Sequence, residues 1–410
     1  MKDNKTIFCY LDDYYRDQFY IGNLYVQKSH GDEVYSFEWS EEVLAGDEHI
    51  FLDPQLHTDI TGRQYAEKNI FGMFSDSCPD RWGRLLMKRR ESIHARKEDR
   101  KPKALRESDF LLGVHDESRM GALRFRTEPQ GNFLAYDKEL ATPPWTELRR
   151  LQDASRNFET DSGNDEDWLA LLMAPGSSLG GARPKATVCD EKGCLWIAKF
   201  PSKHDTENTG AWEMVAHDLA KMCNLNVPEA KALDITKEGT TFLVKRFDRF
   251  GDKRIHMASA MTMLNKTDND HDASYLDIAD WLTSHSPKAS ADLKELWCRM
   301  VFNIAISNTD DHLRNHGFLL DKDGWRLSPL FDVNPNPCGS NLSLGITEED
   351  TELDYSLALE TAEFYQLKKT YAEQIISNIK TVVADNWLTL ARKYNISRSA
   401  IDRMSPAFTM

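Results

Sequence analysis

Apolar residues in the first 130 positions alternate with polar ones more often than they cluster. The runs IFCYL (7–11), FYIGNLYV (19–26) and VYSFEW (34–39) carry this alternation and predict strands, as does GALRF (121–125). After Pro79 the period lengthens, and FGMFSDSCPDRWGRLLMKRR predicts a helix with Trp82, Leu85 and Leu86 on one face. The stretch 152–166, QDASRNFETDSGNDE, is acidic and polar and predicts a linker.

From 167 onward the pattern reads as helix, glycine-rich loop, strand, DEKG turn and strand, ending at IAKFP (197–201). A helix follows over 206–224, with Trp212, Val215, Ala216, Leu219 and Met222 at helical spacing. A second hairpin, 231–249, turns at Glu238 and Gly239. Beyond 251 the chain is mainly helical: Leu293, Leu296, Trp297, Met300, Val301 and Ile304 form a stripe that runs straight into NTDDHLRNHGFLL (308–320). A third hairpin turns at Asp323 and Gly324, and the tail from 363 to 394 predicts a helix ended by Asn395. The chain therefore predicts an α+β protein of two lobes, one β-rich with a helix and one helical, with ligand space between them.

Composition narrows the class. With 410 residues, 40% of them hydrophobic, there is enough chain for two or three cores, and 29% charged residues with 10 Trp are those of a folded protein. A formal charge of −15 argues against duplex DNA as a direct ligand. The local basic run Lys88, Arg89, Arg90, Arg96 and Lys97 reads as a solvated helix surface. The N-terminus lacks the apolar core of a signal peptide, and no apolar stretch approaches a membrane span. Seven cysteines without a CxxC pair suggest reduced thiols and a cytoplasmic protein, although Cys189 and Cys194 flank a turn where they could face each other.

The polar loop carries the chemistry. Asp310 and Asn315 lie five residues apart at the mouth of a strand: a carboxylate to orient an attacking hydroxyl, and a neutral oxygen for a magnesium ion. Asp310, rather than Asp311, has this offset. Asp332, after Leu330 and Phe331, brings a second oxygen ligand. Lys199 sits on an apolar strand where it needs a partner, and Glu213 on the next helix is a suitable counter-charge. The loop Gly176 to Gly181 lets backbone amides approach a phosphate, with Lys185 just beyond it, although it is neither a Walker loop nor G-x-G-x-x-G. The segment 244–249 crosses between the lobes, where its backbone can read an adenine edge. His312 and His316 lack a third soft ligand and read as loop hydrogen-bonders.

In this order the motifs SLGGARPK, IAKFP, VKRFDR, NTDDHLRNHGF and LSPLFDV resemble the HipA-type serine/threonine protein kinases, the toxin components of bacterial type II toxin–antitoxin modules. FSDSCPDRWGRLLMKRR and DFLLGVHDESRMGALRF resemble the non-kinase cap of that family, so the likeness covers most of the chain. It implies a protein-kinase-like fold with an α/β cap over 1–150, an N-lobe-like region over 151–250 and a helical lobe over 251–410. It further implies Asp310 as the catalytic acid–base, with His312 in the pattern T-D-x-H-x-x-N, and Asn315 and Asp332 as Mg²⁺ ligands. Lys199 and Lys185 would contact ATP, Gly180 and Gly181 belong to the glycine loop, and Ser178 matches the loop serine that the family autophosphorylates. Lys245, Phe247 and Asp248 match the adenine-side segment, Lys245 standing where an acidic residue is commoner. The partners implied are a small helix-turn-helix antitoxin (HipB-like), operator DNA mainly through that antitoxin, and a bacterial protein substrate, for which an aminoacyl-tRNA synthetase is the family precedent. A small-molecule kinase and a pseudokinase that scaffolds an antitoxin–DNA complex are the alternatives.

Overall fold

The computed structural model describes residues 4–29, 31–46, 50–67, 69–134, 142–160, 165–176, 183–270 and 272–409. They form two compact units, Met1–Lys203 with Asp248–Ala258, and His204–Phe247 with Ser259–Met410.

The first unit contains the strands expected from the alternation. β1 (Lys5–Leu11), β2 (Phe19–Ser29), β3 (Asp32–Trp39), β4 (Gln64–Tyr65) and β5 (Leu123–Arg126) make one sheet in the order β4-β3-β2-β1-β5. Ile7, Cys9 and Leu11 alternate inward along β1 and are fully buried, which fixes the register against β2 and β5. Helices α1 (Arg81–Lys97) and α2 (Glu107–Gly113) follow the fourth strand, then α3 (Leu148–Thr160) and α4 (Asp165–Gly176), and the hairpin β6 (Lys185–Cys189) and β7 (Leu195–Lys199). Asp190 shapes its turn: Oδ1 accepts from the Lys192 and Cys194 amides at 2.9 Å, and Oδ2 from Trp196 Nε1 at 3.0 Å.

Two sequence expectations are corrected here. Leu85 is 50% exposed, because Gly83, Met87 and the half-buried Arg90 draw the buried stripe of α1 to the other side. Most of the expected linker is α3, whose period Leu148, Leu151, Ala154 begins a turn upstream of the polar stretch; Phe158 meets the ring of Trp82 edge-on at 5.4 Å. Both cysteines at this hairpin are free, as expected of reduced thiols, and Cys189 pairs with Leu195 rather than with Cys194.

The second unit begins with α5 (Thr209–Met222) and the hairpin β8 (Ala230–Thr236) and β9 (Gly239–Lys245). Gly210 lets α5 lie directly on β9, since a Cβ there would sit 2.0 Å from the Thr240 carbonyl oxygen. Met222 closes α5 beyond its buried stripe and is 44% exposed, contrary to the helical spacing. Helix α6 (Tyr275–His285) opens with a capping box between Ser274 and Asp277. In α7 (Ala289–Ala305) the predicted stripe of Leu293, Leu296, Trp297, Met300, Val301 and Ile304 is wholly buried. The hairpin β10 (Gly317–Asp321) and β11 (Gly324–Leu327) follows, then α8 (Tyr355–Glu360), α9 (Lys369–Lys393) and α10 (Arg398–Met404). Asn395, in the left-handed region at φ 56, ends α9 as its sequence position suggests. Among the described residues, no helix is long and apolar enough to cross a membrane.

Candidate active site

Helix α7 delivers the polar loop. After Ala305 the chain turns through Ser307, at φ 52, and the Asn308 amide closes the helix end on the Asn303 carbonyl at 2.8 Å. The Ser307 hydroxyl donates to the Ala407 carbonyl at 3.1 Å, so the C-terminal segment helps to hold this turn. Asp310 is exposed. Its backbone carbonyl accepts from Asn315 Nδ2 at 2.9 Å, while the Asn315 amide hydrogen closes a 3₁₀ turn on the His312 carbonyl at 2.8 Å. That bond commits the nitrogen of the Asn315 amide and turns its Oδ1 away from the Asp310 carbonyl. His312 is half-buried in extended backbone at the head of this turn.

Asp311 points the other way. Its Oδ2 accepts from the Tyr275 hydroxyl, from Asn303 Nδ2 at 2.8 Å and from His316 Nε2 at 2.9 Å, and all four residues are buried. Burial pushes the Asp311 carboxyl upward, but the electrostatic pull and hydrogen bond of His316, with the bond from Tyr275, outweigh it and hold the group below the usual carboxylate range. Burial and the Asp311 charge drive the Tyr275 phenol well above its ordinary value, which keeps it a donor. Asn303 Oδ1 accepts in turn from Asn308 Nδ2 at 3.1 Å.

A second segment braces the loop from outside. Asn336 Nδ2 donates to Thr309 Oγ1 at 2.6 Å, Ser343 Oγ donates to the Thr309 carbonyl at 2.7 Å, and Gly339 lies so close that a Cβ would stand 2.3 Å from Thr309 Cγ2. Asp332 enters just before this segment. It adopts φ 58, in the left-handed region that aspartate enters more readily than most residues. The chain ahead of it is anchored by the Leu330 amide on the Asn226 carbonyl at 2.8 Å. Phe331 packs at 5.5 Å against the ring of Phe247, so the predicted adenine-side aromatic touches the neighbour of the predicted metal ligand. Lys245 lies beside Glu229 at 3.9 Å, and Glu213 is buried on α5.

In the first unit, Lys185 and Lys199 are direct cross-strand partners on β6 and β7. Asp248 is fully buried: Oδ2 accepts from the Gly121 amide at 2.8 Å and from Arg249 Nη1 at 2.7 Å. Ser178, Gly180 and Gly181 lie outside the described residues.

The spacing of the motifs did not single out Tyr275, Asn303, Asn336 or Gly339. The legible signal for the first two was a buried polar position on each helical stripe.

The family model of the HipA-like C-terminal domain matches residues 177–387. A provisionally named kinase of Haemophilus influenzae is 28% identical over 190 residues, 40% of this chain and 54% of that protein. A provisionally named kinase of Sinorhizobium fredii is 28% identical over 158 residues, 34% of this chain and 37% of that one. The match thus spans about half or less of the length of these curated relatives. Among solved structures, the α+β fold is shared with Shewanella oneidensis HipA, determined with HipB and its operator DNA, at a TM-score of 0.65 and 15% identity over 98% of this chain and 95% of that one. With the family's domain matched over just more than half of its length, the chain belongs to the HipA-like proteins.

Proposed function

We propose that the chain is an ATP- and Mg²⁺-dependent protein serine/threonine kinase. The observation that carries this reading is the bond from Asn315 Nδ2 to the Asp310 carbonyl, which ties a neutral oxygen ligand and a carboxylate to one rigid turn. Asn315 Oδ1 and the Asp332 carboxylate would hold the ion, being neutral and anionic oxygen ligands of the kind that suits Mg²⁺. Bound Mg²⁺ and ATP supply charge neutralisation and the transferable phosphoryl group. Asp310 orients the substrate hydroxyl and takes its proton, with His312 beside it. Lys185 and Lys199 neutralise phosphate oxygens, Glu213 is the counter-charge, and the backbone at Gly180 and Gly181 admits the phosphates. Lys245, Phe247 and Asp248 belong to the adenine side.

In this reading residues 1–150 are a cap, 151–250 carry the nucleotide cations, and 251–410 carry the catalytic loop. Ser178 is the self-phosphorylated serine, and the substrate is a bacterial protein. The likeness to a HipA solved with HipB and operator DNA supports a small helix-turn-helix partner, and the charge of −15 supports DNA contact mainly through that partner.

Incubation with ATP and Mg²⁺ is expected to add one phosphate by intact mass, mapped to Ser178. Asp332→Asn is expected to add none while unfolding at an unchanged denaturant midpoint. Wild-type transfer by Asp332→Asn overturns the metal assignment. Transfer to metabolites but to no protein makes the chain a small-molecule kinase. No transfer alongside tight antitoxin binding makes it a pseudokinase.

A further inference from the structure

Two hydrogen-bonded pairs run in parallel across the polar loop, displaced by one residue. Asp310 and Asn315 form one, through the backbone carbonyl of the first and the amide of the second at 2.9 Å. Asp311 and His316 form the other, through their side chains at 2.9 Å. In the first pair Asp310 is exposed and Asn315 buried; the second pair is wholly buried and anchored at both ends. Asp311 is held by Tyr275 from the first turn of α6 and by Asn303 from α7. The His316 carbonyl accepts from the Ala260 amide at 2.8 Å. Each candidate chemical residue therefore adjoins a member of the buried pair, Asp310 before Asp311 and Asn315 before His316. The family pattern T-D-x-H-x-x-N leaves position 311 open and ends before 316, so that pattern does not specify this pair.

We infer that Asp311 is a positioning residue whose buried pairing with His316 sets the separation of Asp310 from Asn315. The four residues between the anchors, His312 to Asn315, include a single short 3₁₀ turn, Leu313–Asn315. With the anchors joined, the turn has one way to close, and the amide of Asn315 meets the Asp310 carbonyl. With them parted, three donors converge on a site that lacks a carboxylate, and the turn is free to relax. A displacement near 1 Å at a reacting group costs on the order of 10² in rate. The loss falls on kcat, because ATP is gripped elsewhere as well. This inference rests on the kinase reading.

The experiment compares Asp311→Asn, His316→Gln and His316→Leu in the full chain, well below their melting temperatures. Asp311→Asn and His316→Leu are expected to lower kcat for autophosphorylation on the order of 10²-fold, with KM for ATP changed less than threefold. His316→Gln, whose amide nitrogen reaches the place of the imidazole Nε2, is expected to recover most of that loss. A residue that only stabilises the fold would lower the active fraction and leave kcat per folded molecule intact. Mn²⁺ binding in the presence of ATP, read by electron paramagnetic resonance, is expected to weaken at least fivefold in Asp311→Asn. Folded Asp311→Asn with wild-type kcat and Mn²⁺ affinity overturns the inference, as does Gln at 316 behaving like Leu. A wild-type protein without phosphoryl transfer fails the kinase reading instead, and the Mn²⁺ comparison then decides the positioning role by itself.

Discussion

Gly339→Ala tests whether the loop's geometry is imposed from outside. The added methyl would stand 2.3 Å from Thr309 Cγ2 and 2.8 Å from its Oγ1. Carbon atoms in contact prefer about 3.5–4.0 Å, so one side must yield by roughly 1 Å or more. Thr309 has little room to do so. Its amide donates to the Ser307 carbonyl at 2.9 Å, Oγ1 accepts from Asn336 at 2.6 Å, and its carbonyl accepts from Ser343 at 2.7 Å. Its β-branched side chain is also stiff about χ1. Overpacking of this kind costs about 1–3 kcal/mol, and a 1 Å shift of the residue next to Asp310 costs on the order of 10² in rate. The assay is kcat for phosphoryl transfer beside the urea midpoint. Adding Thr309→Ser removes the atom at 2.3 Å and keeps the hydroxyl for Asn336, with Oγ and Cβ still close at 2.8 and 2.9 Å, so the double variant is expected to regain part of both losses. Gly339→Ala with wild-type rate and midpoint would show that the outer segment yields freely. A double variant no better than the single one would place the damage elsewhere.

Three further outcomes follow from the same geometry. Asp310→Asn is expected to lower kcat by about 10²–10⁴-fold with stability unchanged, since the group is exposed; an active Asp310→Asn protein removes it as the base. Lys185→Met is expected to weaken ATP binding in calorimetry while the chain still folds; unchanged ATP affinity with lower stability would make Lys185 a structural residue. Burial first, and then the charge of Arg16, push the His256 imidazole down to about 3, so the folded chain keeps it neutral while the unfolded chain binds a proton below about 6.5. The unfolded state then holds more protons across that window, and the first unit is expected to lose stability as pH falls through it, by about 2 kcal/mol on reaching pH 5. Urea midpoints at pH 7.5 and 5 should diverge in the wild type and converge in His256→Gln; equal wild-type midpoints would refute the linkage.

What was legible in the sequence was whatever has a short period or a fixed offset. The stripe on α7 is apolar at helical spacing, so its burial followed from the pattern alone. The offset from Asp310 to Asn315 was legible because both ends of the pair lie in one turn. Asp311 was not, because its meaning depends on Tyr275, 36 residues earlier, and on Asn303 on another helix. An isolated asparagine on an apolar stripe has many uses, and only the fold shows that its amide is spent on one carboxylate. Gly339 is harder still: its role is the absence of a side chain beside Thr309, and that absence gives no periodic signal. The errors share this cause. Leu85 and Met222 were placed by spacing, whereas the centre of a buried stripe is set by what packs on it, here displaced toward Gly83 and Met87 and ended at Ala220. The acidic stretch after 152 was read by charge, yet an apolar period that begins one turn earlier, at Leu148, had already committed it to a helix. Local chemistry therefore announces which residues react, while the residues that hold them in place are chosen by contacts far apart in the chain. The polar positions interrupting an otherwise apolar helical stripe are where a sequence still betrays them, and here those positions are Asn303 and Tyr275.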